Sequence, residues 1–288
     1  MQYKNVFIES IGYTLPDETW TSDDVEQKLQ PLYSRLKLPE GRLELMTGIR
    51  ERRFWPKGDR PSHLSVSSCN QAIEAAGFDR SQIGCLIHGS VCRDFLEPAT
   101  ACTVHHQLGL RADSVIYDTS NACLGILNGM VQAANMIELG QIEAALVVGS
   151  EGGRQLVEGT IRELNTNESY TRKTVKPAFA SLTIGSASCA VLLTNERLSQ
   201  SRTRLLGGSA RANTRYNDLC QSLNDQAGSE MSPLMQTDSE ELMKRGIETG
   251  RDNFGHLCDA TGWQPEDIQR AVCHQVGVAH QRLMLESL

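Results

Sequence analysis

The sequence contains no C-x-x-C pair, no long uninterrupted apolar run, no low-complexity tract and no short tandem repeat. Its nine cysteines, at 69, 85, 92, 102, 123, 189, 220, 258 and 273, are odd in number and irregularly spaced. That pattern gives a zinc site or a thioredoxin-like redox pair little support. Reduced thiols in a cytoplasmic protein are the simplest reading. The opening Met1-Gln2-Tyr3-Lys4-Asn5-Val6-Phe7-Ile8 lacks the apolar core of a signal peptide, and no stretch reaches the length of a membrane span. A basic block is also missing. Lys and Arg number 28 against 35 Asp and Glu, a formal charge of −7. An acidic chain without a basic cluster is a poor electrostatic partner for nucleic acid or an anionic membrane. What remains is ordinary globular composition, 40% hydrophobic and 22% charged over 288 residues. That length buries a core without disulfide or metal staples, and allows one large domain or two small ones.

The order of patterns is more informative. Residues 6–11 read as a strand ended by Gly12 and Pro16, and residues 22–36 as a helix opened by Ser22. Residues 50–60, basic and rich in turn formers, read as an exposed loop. Helical spacing over 62–76 ends at Gly77. The apolar run 83–90 suits a strand buried on both faces. A helix over 99–108, a strand over 114–119, a helix over 123–139 apolar nearly all round, and a strand over 142–149 follow. This β–α alternation predicts an α/β fold with a mostly parallel sheet. The polar stretch 152–177 reads as an excursion of the kind that carries binding residues. Strand character returns at 187–194 and 204–212. A long helix spans 239–260, a brief strand 271–273 leads into His274, and a helix starts near Val278. Residues 201–288 partly echo the element order of residues 1–200, so the chain divides into two halves at about that point.

Three residues stand out chemically. Cys123 follows a strand and opens a helix, where unpaired N–H groups and the helix dipole favour a thiolate. Ser120, Asn121, Ala122 and Gly125 around it are small enough for a tight turn. The alternative is an inert buried thiol. His274 ends a short apolar run, matching the place of Cys123 in the first half, and ligands in open α/β sheets sit at such strand ends. A hydrogen-bonded core histidine fits the same pattern. Glu97, between apolar Leu96 and Pro98, is either a base with a raised pKa or a solvated helix-entry carboxylate. Arg50, Arg52, Arg53, Lys57 and Arg60 form either a phosphate contact or a plain solvated face. His105, His106, His256 and His280 read as surface or packing residues.

Together these segments resemble the thiolase superfamily, and more narrowly the ketoacyl-acyl-carrier-protein synthase III condensing enzymes. Thr47-Gly48-Ile49-Arg50-Glu51-Arg52 looks like that group's T-G-I-x-x-R segment, Asn121-Ala122-Cys123 like its nucleophile turn, and His274-Gln275 like its histidine motif. The segments 145–149 and 185–192 are similar to its following elements. The residues Gln30-Pro31-Leu32-Tyr33-Ser34-Arg35-Leu36, Ser90-Val91-Cys92-Arg93-Asp94-Phe95-Leu96-Glu97-Pro98, Asn128-Gly129-Met130 and His274-Gln275-Val276 resemble the branch that condenses two long-chain acyl-CoA molecules head to head in olefinic hydrocarbon synthesis. The resemblance implies a duplicated α-β-α-β-α layered fold with mixed, mostly parallel sheets. Residues 1–200 would form the half with the nucleophile, and 201–288 an incomplete half with the histidine.

It also implies roles. Cys123 carries the acyl group as a thioester. Glu97, donated across a homodimer, removes the α-proton of a second acyl-CoA. His274 hydrogen-bonds a developing enolate or oxyanion, helped at the other oxyanion by the Cys123 N–H. No metal or redox cofactor is implied, and the partners are acyl-CoA or acyl-carrier-protein thioesters. The departure is that the group's triad asparagine, on an H-G-N turn, has no counterpart in this sequence. Three expectations compete there: a shortened gene product, a second polypeptide that completes the fold, or an inactive partner subunit. The decarboxylative synthase III reaction with a malonyl thioester, which needs no carboxylate base, is the alternative chemistry.

Overall fold

The computed structural model describes residues 1–223, 234–274 and 277–288. In chain order the elements are β1 (Phe7–Thr14), β2 (Glu18–Thr21), α1 (Ser22–Lys28), α2 (Gln30–Leu36), α3 (Arg42–Thr47), β3 (Glu51–Phe54), α4 (Pro61–Ala76), β4 (Ile83–Gly89), α5 (Thr100–Leu108), β5 (Val115–Thr119), α6 (Gly125–Glu138), β6 (Ala144–Glu151), α7 (Arg154–Thr166), β7 (Ala187–Thr194), β8 (Cys220–Leu223), β9 (Leu234–Thr237), α8 (Ser239–Thr261) and α9 (Val278–Ser287). Two compact units are formed. The first comprises Met1–Asp17, Trp55–Gly152 and Ser186–Gly208, and the second Glu18–Phe54, Gly153–Gly185 and Ser209–Leu288.

The first unit is built on a five-stranded sheet in the order β1-β7-β6-β4-β5. Strand β4 runs parallel to both β5 and β6, and β7 runs antiparallel to β6 and β1. Four strands therefore share one direction, and only β7 opposes them. Alternation decides the faces. Leu86, Leu146, Val148, Ala190 and Leu192 join α4 and α5 in one buried cluster. Cys85, Ile87, Ala145, Val147, Val191 and Leu193 join α6 in the other. Helices on both faces explain why β4 and β6 read as unbroken apolar runs. Helix α4 buries a stripe of small residues, Ser62, Ser65, Ser68, Cys69 and Ala72. Two of its buried hydroxyls, those of Ser65 and Ser68, are satisfied in a chain: Ser65 shares a 2.7 Å bond with Ser150, Ser150 donates to Ser188 at 2.7 Å, and Ser68 donates to Ser188 at 2.8 Å. A buried polar group without a partner costs more than the bond returns, so a fully satisfied chain is the tolerated form.

The second unit has a core of Val25, Leu29, Leu32, Phe54, Val157, Leu164 and Leu182. Strands β2 and β3 pair antiparallel, as do β8 and β9. Glu26 is buried yet fully engaged, accepting from the Leu43 and Gly41 amides at 2.6 Å each and from the Tyr33 hydroxyl at 2.9 Å. No residue of α8 or α9 is buried.

Several sequence expectations need correction. Residues 22–36 form two helices, α1 and α2, with Leu29 as the joint and Pro31 at the start of the second. Proline fits a first helical turn and interrupts a helix interior. Thr21, not Ser22, caps α1, in a reciprocal capping box with Asp24. Residues 50–60 are not simply an exposed loop. They include β3, with Arg52 and Phe54 buried and Glu51 and Arg53 exposed. Stretch 152–177 contains the helix α7. Segment 204–212 is not a strand and makes only isolated bridges, Arg204 to Phe7 and Gly207 to Gln2. Residues 271–274 are irregular. The motif residues Gln275 and Val276 lie outside the described residues.

Candidate active site

Cys123 and Glu97 both emerge from the carboxyl edge of the parallel strands in the first unit. Cys123 follows β5, on a single 3-10 turn over Ala122–Leu124 that leads directly into α6. Helix α6 begins at Gly125, so Cys123 stands just before its first turn, not inside it. Ala122 adopts φ 43°, a left-handed conformation that costs an L-residue on the order of 1 kcal/mol. The turn is closed by the Leu124 amide donating to the Asn121 carbonyl at 2.9 Å, and the Asn121 side chain donates to Asn128 on α6. Cys123 is exposed.

Packing behind the turn depends on glycine. A Cβ on Gly89, the last residue of β4, would lie 2.6 Å from the Gly125 backbone, and one on Gly125 would lie 2.7 Å from Gly89. Strand end and helix start therefore touch backbone to backbone, and this fixes the turn above them. Helix α6 is not buried all round as its apolar composition suggests. Gly125, Gly129, Ala133, Ala134 and Ile137 face the sheet, whereas Leu127 is 58% exposed and the adjoining Leu124 51%.

Glu97 is exposed on the loop that follows β4, residues 90–98. Three carboxylates hold this loop and its borders through backbone amides. Glu151 accepts from Val91 at 2.8 Å and Cys92 at 3.2 Å. Asp94 accepts from Ser62 at 2.9 Å and so caps α4, which has no local side-chain cap. Asp118, on β5, accepts from Thr100 at 2.7 Å and Ala101 at 2.9 Å, and caps α5 in the same way. Carboxylates at helix N-termini pair with unsatisfied N–H groups and with the dipole.

Beneath the loop lies His88, a residue that the sequence reading passed over. It is 1% exposed on β4, in register with Asp118 of β5 and Val148 of β6. Burial pushes its imidazole below the ordinary value, while the charges of Asp118, Glu151 and Asp94 pull it up. The available signal was a lone histidine inside an otherwise apolar strand. Cys92 shows the same environment, since burial and the neighbouring Glu151 push its thiol up to about 12. Burial alone raises Cys85 to about 11.

His274 belongs to the second unit, in irregular backbone ahead of α9. It is exposed as a residue, while partial burial of its ring and the nearby His280 hold it below the ordinary imidazole value. The basic residues near position 50 do not form one solvated face. Arg52 is buried, donates to Ser22 Oγ at 3.0 Å, and is lowered by burial. The second unit instead has a basic cleft of about 350 Å³, in which Arg42, Arg172, Lys173 and Lys176 surround an apolar floor that includes Met46 and Phe179. Among the described residues no group of three or more His, Cys, Asp or Glu has metal-binding geometry.

A thiol on a tight turn between a parallel strand and a sheet-packed helix, within an α-β layered unit, defines a thiolase-like protein. Residues 45–177 match the model of the thiolase N-terminal domain. The chain is 38% identical to the acyl-CoA:acyl-CoA alkyltransferase of Shewanella oneidensis, over 100% of this chain and 83% of that protein. It is 32% identical to the same-named enzyme of Xanthomonas campestris, over 100% of this chain and 82% of that protein. A crystal structure of Xanthomonas campestris OleA, a Cys-to-Ser variant with bound lauric acid and lauroyl-CoA, superposes with TM-score 0.91 at 31% identity, covering 99% of this chain and 82% of that one. The chain belongs to the acyl-CoA:acyl-CoA alkyltransferase family of the thiolase superfamily, a family of acyl-transferring condensing enzymes.

Proposed function

We propose that this enzyme joins two acyl-CoA molecules by a non-decarboxylative Claisen condensation, with Cys123 as nucleophile, Glu97 as base and His274 as oxyanion donor. In the first step the Cys123 sulfur attacks the thioester carbonyl of one acyl-CoA. The new S–C bond replaces the bond to CoA, which leaves as its thiol. Glu97 then takes the α-proton of a second acyl-CoA. The resulting carbanion attacks the Cys123 thioester, a C–C bond forms, the C–S bond breaks, and a β-ketoacyl-CoA leaves with the cysteine restored. A neutral His274 has one N–H to give to the enolate or oxyanion oxygen, and the depressed pKa of this histidine favours that form. Thioester exchange and proton transfer balance without an electron acceptor, so the proposed reaction calls on no redox cofactor, and none of its steps is assigned to a metal.

The observation that carries this reading is the shared strand edge. An exposed cysteine on a strained turn after β5 and an exposed glutamate on the clamped loop after β4 rise from neighbouring parallel strands. Solved variants of Xanthomonas campestris OleA alter one glutamate, one cysteine and one histidine, the same three residue types. The basic cleft with its apolar floor suits the phosphates and adenine of CoA. Residues 1–200 and 201–288 are proposed as the two thiolase-like halves. A cytoplasmic homodimer completes the proposal. Strand β5 is an edge of its sheet, and its Val115 is 44% exposed, a surface that a second copy would cover.

The test is incubation with a long-chain acyl-CoA followed by intact-mass measurement. One acyl mass is expected on the wild type and none on Cys123→Ala. Equal acylation of the alanine variant sinks the nucleophile assignment. Loss of product in Glu97→Gln, with acyl-CoA as the only substrate, supports the base role. Unchanged turnover there favours the malonyl-dependent reaction performed by ketoacyl-acyl-carrier-protein synthases III, of which the Laribacter hongkongensis enzyme is 26% identical over 93% of this chain and 76% of that protein.

A further inference from the structure

Every residue of the Cys123 turn, 121–124, is exposed, so packing gives the turn little support. It is nonetheless strained, with Ala122 left-handed at φ 43°. Such a conformation persists where the surroundings over-determine it. The contact of Gly89 with Gly125 fixes the turn at its helix end. At the other end stands Asn121, which enters the turn from β5. Its carbonyl accepts the turn-closing bond from the Leu124 amide at 2.9 Å, and its side-chain amide donates to Asn128 Oδ1 on α6. Asn121 is therefore held at two points, one inside the turn and one outside it.

The outside point is a rigid one. Asn128 lies between two glycines that seat α6 on the sheet. Gly125 meets Gly89 of β4, and a Cβ on Gly129 would lie 2.7 Å from Val147 Cγ1 of β6. A second side-chain bond runs beside the first: the Tyr117 hydroxyl on β5 donates to Gln132 Oε1 at 2.6 Å. Gln132 is one helical turn beyond Asn128 on the same face of α6, and Tyr117 precedes Asn121 in the chain. Strand and turn are thus tied to one helix face at successive levels. Asparagine forms helix less readily than alanine or leucine, so helix formation does not explain residue 128. The acceptor it offers Asn121 does.

We propose that Asn128 is a positioning residue for the nucleophile: through the Asn121 side chain it holds the turn that directs the Cys123 sulfur at the thioester carbonyl. The proposal rests on the reading of Cys123 as the nucleophile. It assigns Asn128 no contact with substrate. Its effect falls on the rate at which bound acyl-CoA acylates Cys123, and not on how tightly acyl-CoA binds or how readily the thiol ionises. The Tyr117–Gln132 bond holds the strand below the turn and serves as the comparison, since cutting it leaves the Asn121–Asn128 tie in place.

The test uses the full chain with Asn128→Ala, Asn121→Ala, the double variant and Gln132→Ala. Three quantities are measured: single-turnover acylation of Cys123 over a range of long-chain acyl-CoA concentrations; amide hydrogen exchange at Leu124; and alkylation of Cys123 by iodoacetamide. For Asn128→Ala the maximal acylation rate is expected to fall about tenfold or more, with the half-saturating concentration within about twofold of wild type. Exchange at Leu124 rises about threefold or more, while alkylation, which needs no directed approach to a carbonyl, stays within about threefold. The double variant acylates no more slowly than Asn121→Ala, because Asn128 acts through Asn121. Gln132→Ala keeps the wild-type acylation rate within about twofold. A wild-type maximal rate in Asn128→Ala overturns the proposal. So does a loss confined to the half-saturating concentration, which reports contact with substrate, or an equal fall in alkylation, which reports a changed thiolate. The same loss in Gln132→Ala overturns it too, because that reports only a loosened helix, as does a double variant in which the two losses multiply. If Asn128→Ala does not fold, Asn128→Leu, of similar size and without the acceptor, decides by the same readouts. Cys123→Ala is measured alongside. If it acylates at the wild-type rate, the nucleophile reading has failed, and Asn128 as the anchor of the turn is then judged by exchange at Leu124 alone.

Discussion

The loop after β4 and the turn after β5 leave the same edge of the same sheet, and the fold holds them by opposite means. The turn that carries Cys123 is held by shape: Gly89 and Gly125 touch backbone to backbone, and Ala122 accepts a left-handed conformation. The loop that carries Glu97 is held by charge: three carboxylates bind backbone amides around a buried histidine. In the proposed reaction Cys123 would approach a carbonyl carbon along a fixed direction, which steric constraint supplies, and Glu97 would have to keep its charge and reach a proton, which a polar cradle suits better. The loop and turn should therefore respond to different insults.

The largest expected contrast is between their cysteines. Cys92 lies on the loop and Cys123 on the turn. With its thiol pushed up to about 12, Cys92 is almost entirely protonated near neutrality. Cys123 is also exposed, so alkylation followed by peptide mass analysis should label Cys123 much faster than Cys92, by about tenfold or more. Comparable labelling of the two would show that the loop does not shelter Cys92 as described.

A steric insult comes next. Gly89→Val places side-chain atoms where the Gly125 backbone stands, at distances under 3 Å that no rotamer relieves. Overpacking of this kind costs about 3 kcal/mol or more when the obstacle is backbone. Thermal or urea unfolding should show that loss, and acylation of Cys123 should fall with it. A variant of wild-type stability would mean that β4 and α6 can separate, contrary to the account of the turn.

An electrostatic insult to the loop should be milder. Asp118→Ala removes the side-chain cap at the N-terminus of α5, an interaction worth on the order of 1–2 kcal/mol. Urea titration should place the loss in that range, and faster exchange should be confined to Thr100, Ala101 and the preceding loop. A loss at Cys123 of the same size would erase the distinction between loop and turn.

The contrast also explains what could be read from the sequence. Strands β4, β6 and β7 were legible because both sheet faces are covered, so each run is mainly apolar. The tight turn at Cys123 was legible because small residues on both sides announce it, and Glu97 was singled out because its segment carries a family resemblance. The carboxylate clamps were not legible. Asp94, Asp118 and Glu151 are far apart in sequence and meet the amides they bind, at the α4 and α5 N-termini and on the loop, only after the sheet brings β4, β5 and β6 together. His88 was hidden for a related reason, since one histidine in an apolar strand does not disturb the pattern. Strand β3 was missed because a buried arginine, Arg52, occupies the inward face where alternation calls for an apolar residue. The break at Leu29 was visible in Pro31, and the helical spacing on either side masked it.

The smallest effect is the dependence of stability on the protonation of His88. Its pKa is lowered in the folded chain, first by burial, with the charges of Asp118, Glu151 and Asp94 opposing. In the unfolded chain it titrates near the ordinary value of about 6.5. Above that value neither state holds the proton, and the histidine adds no pH dependence. As pH falls below it, the unfolded chain binds the proton first, so stability declines until the folded state also titrates. One proton sets an upper limit of about 1.4 kcal/mol per pH unit on the slope, and the opposing carboxylates reduce the total. The measurement is the difference between wild type and His88→Phe in urea midpoint from neutral to mildly acid pH. The wild type should lose stability through that window relative to the variant. If the variant is the one that loses stability, the three carboxylates prevail over burial, and His88 is carried in the fold as an imidazolium. The loop would then be held by a buried ion cluster, and acid would strengthen the histidine's part in it.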